Sequence, residues 1–223
     1  SLGMCSRKKG LPGFLLMVFL LYVVLASGRL RVLANIEDSS YCDLSQEYKD
    51  KEYKGEAIEY IPGEMRGLSE FVAKDRKGYE HDTILLDSNQ SLTLHMNVPS
   101  AGVYYLNFDY YTLTDSMLHA ELSMKVNGEY PYYELRSFIL NDNWVDKRKP
   151  AYDRYGNEIL QKSDKYNGWL SSYIYDSSYR ISHPLGIYLN SGDNQINLQN
   201  SERPVLLGKL TLHGSSPISN YNG

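Results

Sequence analysis

The chain has two tryptophans, and both stand in one polar stretch rich in tyrosine. Residues 141–168 carry Trp144, Tyr152, Tyr155 and Tyr166 among Asp142, Asp146, Asp153 and Asp164, and Asn167-Gly168-Trp169 follows. A pyranose has an apolar face and a rim of hydroxyls. A flat ring covers the face, while Asn, Asp or Tyr hydroxyls bond the rim, so amphipathic rings suit such wet sites. The stretch shows no strand alternation, and long aperiodic loops in compact domains are uncommon and often functional. Trp144, Tyr152, Tyr155, Tyr166, Asn167 and Trp169 are therefore the candidate ligand-binding residues. Two plainer readings compete: the tryptophans plug the core at strand ends, or the stretch is a solvated insertion.

No residue emerges as catalytic. The chain lacks a Gly-rich phosphate loop, Gly-x-Ser-x-Gly, His-Glu-x-x-His and Cys-x-x-Cys. His81, His95, His119, His183 and His213 are scattered without metal spacing. A glycosidase needs two carboxylates roughly 5–10 Å apart in a cleft, and the sequence singles out no such pair. A non-enzyme is expected, with a hydrolase as the remotest alternative.

The elements that would position these rings are strands. Leu92, Leu94, Met96 and Val98 alternate with polar residues, as do Tyr104, Leu106, Phe108 and Tyr110, and Leu122, Met124 and Val126. Asn127-Gly128 is a strong hairpin signal, after which residues 130–140 are expected to return as a strand. Residues 57–61, 173–175, 185–189, 195–199 and 205–212 complete about nine strands, the density of a sandwich or barrel. Tyrosine, with 21 copies against 5 Phe, suits half-buried strands as well as binding surfaces. Ahead of them, Tyr41, Leu44 and Tyr48 have helical spacing, and Ser40 with Asp43 resembles a capping box.

The N-terminus reads as an export signal. Arg7, Lys8 and Lys9 precede an apolar run over residues 14–26, short of the roughly 20 residues that span a bilayer. A cleaved signal peptide is the favoured reading, with an uncleaved anchor as the alternative, and either places the rest outside the membrane. The net charge is −4, and the part beyond this segment is more acidic still. That disfavours nucleic acid as a partner and confines membrane contact to the N-terminal segment. Cys42 is the lone cysteine beyond the apolar run, so no disulfide is expected. The organisation expected is a signal or anchor over 1–34, a helical lead-in over 35–55, a β-domain over 56–213 and a linker over 214–223, after which the natural chain continues.

Several stretches together suggest a family. They are Glu56-Ala57-Ile58-Glu59-Tyr60, the run Val-Pro-x-Ala-Gly-Val-Tyr-Tyr-Leu-x-Phe-x-Tyr-Tyr over 98–111, Val126-Asn127-Gly128-Glu129-Tyr130-Pro131-Tyr132, Arg154-Tyr155-Gly156-Asn157-Glu158, and Leu185-Gly186-Ile187-Tyr188-Leu189-Asn190-Ser191-Gly192. Over residues 40–213 this order resembles the N-terminal galactose-binding-like sandwich of Gram-positive extracellular solute-binding proteins of sugar ABC transporters. That sandwich is similar to carbohydrate-binding modules of glycoside hydrolases. The resemblance implies an all-β jelly-roll β-sandwich and a non-catalytic carbohydrate-binding or accessory module. Its partners would be an oligosaccharide or polysaccharide, and transporter components or a following solute-binding domain. A structural spacer without a sugar ligand is the alternative. Related modules hold a structural calcium between an acid in the first strand and an Asp in the last. Glu59 matches the first position, but the last strand reads Leu207-Gly208-Lys209-Leu210. With Lys209 there, no calcium or other cofactor is expected.

Overall fold

A computed structural model describes residues 39–113, 119–140, 144–145, 151–152, 158–159, 164–165 and 168–215. The N-terminal apolar run, most of the 141–168 stretch and the tail lie outside the described residues.

Among the described residues, one short helix, α1 (Tyr41–Glu47), precedes fourteen strands: β1 (Ile58–Tyr60), β2 (Ile84–Leu86), β3 (Ser91–Val98), β4 (Gly102–Thr112), β5 (Ala120–Val126), β6 (Phe138–Leu140), β7 (Trp144–Val145), β8 (Ala151–Tyr152), β9 (Glu158–Ile159), β10 (Asp164–Lys165), β11 (Leu170–Tyr173), β12 (Ile187–Leu189), β13 (Gly192–Asn200) and β14 (Val205–His213). A six-stranded sheet runs β1-β14-β4-β11, with β12 also on β4 and β2 also on β14; a four-stranded sheet runs β3-β13-β5-β6. Every pairing between these strands is antiparallel. Consecutive strands change from one of these sheets to the other between β2 and β3, β3 and β4, β4 and β5, β12 and β13, and β13 and β14. This is the jelly-roll sandwich.

Period-two alternation produces it. Tyr104, Leu106, Phe108 and Tyr110 of β4 and Val205, Leu207, Leu210 and Leu212 of β14 face inward, against Leu92, Leu94 and Met96 of β3 and Leu122 and Met124 of β5. The Phe108 and Phe138 rings meet across the layers at 6.1 Å. The polar members of the same strands, Asn107 and Asp109 among them, lie on the outer face. The buried Asn194 amide bonds Asn190 O at 2.7 Å and Gly192 O at 3.1 Å, closing the turn before β13.

The expected strand over 130–140 is short. The Asn127-Gly128 turn forms with both φ angles positive, and β6 pairs with β5 at Leu140↔Ala120. Between them the chain bows away from the ladder through a 3-10 turn, Tyr133–Arg136. Pro131 has no N–H for a ladder, and Tyr132 turns fully into the core. Its ring meets Tyr41 of α1 edge-on at 5.1 Å. The capping box is present: Asp43 N donates to Ser40 Oγ and Ser40 N to Asp43. The sequence missed β2, because Ile84-Leu85-Leu86 is too short to alternate visibly.

Candidate functional site

The outer face of the six-stranded sheet carries the aromatic cluster. Its geometry starts from Gly208. β14 pairs Leu207 with Tyr110 but Leu210 with Phe108, so Gly208 and Lys209 together oppose Asp109 in a β-bulge. A Cβ on Gly208 would lie 2.5 Å from the Tyr79 ring. The missing side chain therefore lets Tyr79 lie against the sheet. Its hydroxyl donates to Asp109 Oδ2 at 2.5 Å and accepts the Lys209 N–H at 2.9 Å. Burial, then the bond to the Asp109 carboxylate, raises the Tyr79 pKa above the usual phenol range.

Trp169, just before β11, packs on this ring with centroids 4.2 Å apart, and on Tyr111 at 5.8 Å. Its indole N–H donates to Lys77 O at 3.2 Å. Tyr79 and Lys77 belong to a flap over residues 73–82, rooted by the Val72↔Ile84 bridge and by Ala73 N donating to Thr83 O at 2.8 Å. Arg76 pairs with Asp82, and Lys77 with Asp75 at 2.8 Å, within the flap. Tyr79, Tyr111 and Trp169 all remain half-buried rather than sealed.

Polar groups follow the cluster along the same face. Ser171 Oγ donates to Asn107 Oδ1 at 2.6 Å. Lys209 Nζ donates to Glu59 Oε1 at 2.9 Å, and that bond holds the ammonium pKa above its ordinary value. Tyr173 and His213 form a second ring pair at 5.6 Å. Beside the flap lies a cleft of about 410 Å³. Rings, amides, carboxylates and an ammonium thus share one open sheet face, a mixture that can cover an apolar surface and bond hydroxyls around it.

Of the sequence candidates, Trp169 is in this cluster. Trp144 stands in β7, paired with Lys165, and Tyr152 in β8, paired with Glu158. These two-residue ladders lie in the stretch read as aperiodic. Tyr155, Tyr166 and Asn167 lie outside the described residues. Glu59, the candidate metal ligand, is engaged by a lysine rather than by other acids. Among the described residues, no three His, Cys, Asp or Glu side chains converge as a metal site, and no helix is long and apolar enough to cross a membrane. Sequence reasoning missed Tyr79, Tyr111 and Asp109. Asp109 and Tyr111 had a signal, since they sit out of phase with the core residues of β4. Tyr79 had none.

No protein-family model matches the sequence, and no curated protein matches it. Solved structures resemble it at low similarity. A family 35 carbohydrate binding module from Clostridium thermocellum has 13% identity and a TM-score of 0.41, covering 72% of this chain and all of that one. A CBM36-1 domain of a multidomain xylanase from the hindgut metagenome of Trinervitermes trinervoides has 12% identity and a TM-score of 0.43, covering 72% of this chain and 98% of that one. The C-terminal CBM6 of a laminarinase from Zobellia galactanivorans has 11% identity and a TM-score of 0.41, covering 70% and 98%. The class is set by the chain's own strands and register: an antiparallel jelly-roll β-sandwich.

Proposed function

We propose that this domain binds carbohydrate without transforming it, at the outer face of the six-stranded sheet. The observation that carries this reading is the Tyr79–Trp169–Tyr111 cluster, half-exposed and bordered by Asn107, Asp109, Ser171 and Lys209. Large rings on a sheet face cost side-chain entropy to order and expose apolar area. A sugar face laid on them recovers that area, while the amide, hydroxyl and charged groups bond its rim. The stretch before Trp169 supplies further candidates in Trp144, Tyr152, Tyr155, Tyr166 and Asn167.

The setting proposed is an exported accessory domain of a bacterial sugar-import system. The cationic flank and apolar run at residues 7–26 support export, and the sequence resemblance supports the transport context. The domain would meet a following solute-binding domain or transporter subunits, with any membrane contact through the N-terminal segment alone. Affinity electrophoresis of the exported protein through gels holding soluble glucans, xylans, mannans and galactans tests the binding. Retardation by at least one polymer is expected; free migration in all of them contradicts it.

One observation favours a second reading, a spacer without a sugar ligand. The Trp169 N–H is already taken by Lys77 O and one side of the ring by Tyr79, as for a strut that holds the flap. In that case Trp169→Ala loosens the flap, and no glycan retards the wild type.

A further inference from the structure

The cleft beside the flap lies next to the ring cluster but is not part of it. At about 410 Å³ it falls within the usual span of small-molecule sites, about 300–1,000 Å³. Phe71, Leu85, Leu113 and Leu206 give it apolar lining, and Lys74 and Asp87 add charges of opposite sign. Two links join it to the cluster. Lys77 lines the cleft, and its carbonyl takes the Trp169 N–H. Leu206 also lines it and is the cross-strand neighbour of Tyr111 on one side and Leu85 on the other. Paired strands are about 4.8 Å apart, close to the length of one pyranose unit in an extended chain. Leu206 itself is 2% exposed, so it links the two by register, and the apolar groups that a linear glycan can meet across it are Tyr111 and Leu85, two strand spacings apart.

We propose that the cleft is an extension subsite, holding neutral sugar units next to the one stacked at Trp169, so that the domain recognises a run of units rather than a single terminal sugar. The inference rests on the carbohydrate-binding reading. The preference for neutral sugars follows from the lining, where two lysines (Lys74, Lys77) stand among three acids (Glu70, Asp75, Asp87), a mixed rim with only a small acidic excess and no strong field for a polyanion or polycation. An apolar floor with a mixed polar rim suits pyranose rings, whose faces are apolar and whose edges carry hydroxyls.

The test uses cello-, laminari-, manno- and xylo-oligosaccharides from disaccharide to hexasaccharide, titrated calorimetrically into the exported protein. In the series that binds, affinity should rise by about tenfold or more with length, as each added apolar contact of leucine size would give. Leu85→Ser and Lys74→Ala, both checked for unchanged melting, should cut hexasaccharide affinity while leaving the disaccharide unaffected. If disaccharide and hexasaccharide bind equally, or if both variants bind the hexasaccharide like wild type, the extension subsite is wrong and the carbohydrate reading stands. If no series binds and no polysaccharide retards the protein, the carbohydrate reading fails and takes the subsite with it.

Discussion

Gly208 decides how Tyr79 meets the sheet, and through Tyr79 where Trp169 rests. Its replacement by Ala would push a Cβ into the ring, an overpacking that costs about 1–3 kcal/mol. Gly208→Ala should lower the melting temperature and shift tryptophan emission, as the Tyr79–Trp169 contact opens. Asp176 is a second residue with a readable role. It is 3% exposed and accepts from Ser178 Oγ at 2.8 Å, Ser178 N at 3.0 Å, Arg180 N at 3.0 Å and Ile181 N at 3.2 Å. Burial pulls its pKa up, but these bonds outweigh burial and hold the carboxyl below its ordinary value. A depressed carboxylate stabilises the fold above its unfolded-state pKa, and the contribution is lost as pH falls through the folded one. Asp176→Ala should therefore cost about 1–3 kcal/mol at pH 7. Denaturant titrations should show that gap narrowing in strong acid; a constant gap would contradict the assignment. Trp169 was legible from its type and its polar, tyrosine-rich surroundings. Asp176 and Tyr79 left no trace, because their partners come from a local nest in one case and from a distant bulge in the other.

Helix α1 is too short to stand alone and depends on docking. Tyr41 N donates to Glu134 Oε2 at 2.9 Å, Tyr133 N to Ser39 O at 2.8 Å, and Gly186 N to the Tyr41 hydroxyl at 3.1 Å. Tyr48 stacks on Tyr188 at 4.1 Å. Removing the Glu134 carboxylate leaves the Tyr41 N–H buried without that acceptor. Glu134→Ala should make the amides of residues 41–48 exchange rapidly, while those of β13 keep wild-type protection. Equal loss in both would mean that α1 and the sandwich unfold as one unit. The helix was legible from Tyr41, Leu44 and the Ser40–Asp43 box, and the long strands from their alternation. β2, the bow over residues 130–137 and the short ladders β7–β10 were not. Each depends on long-range pairing or on Pro131 and Tyr132 being diverted, and neither produces a period.

At the scale of the whole molecule, alternation pointed to a sandwich or barrel, the resemblance to a sandwich, and neither to which strands share a sheet. That partition places Asp109, Tyr111, Lys209 and Trp169 on one face, and it follows from register between β4, β11 and β14 rather than from any local signal. The same register sets Lys209 against Glu59, where an ammonium repels a cation. Adding calcium after chelation should leave the melting temperature essentially unchanged, whereas a large rise at micromolar calcium would mean that other oxygens complete a site. The central claim is that the outer sheet face binds carbohydrate through Trp169. The measurement is paired melting and affinity electrophoresis of wild type and Trp169→Ala against a polysaccharide that retards the wild type. A stacking ring should lose about 1–3 kcal/mol of binding, by analogy with aromatic–base stacking, with only a modest fall in melting temperature. Unchanged retardation by the variant, or a loss of stability of about 3–5 kcal/mol as for a filled core, would contradict it.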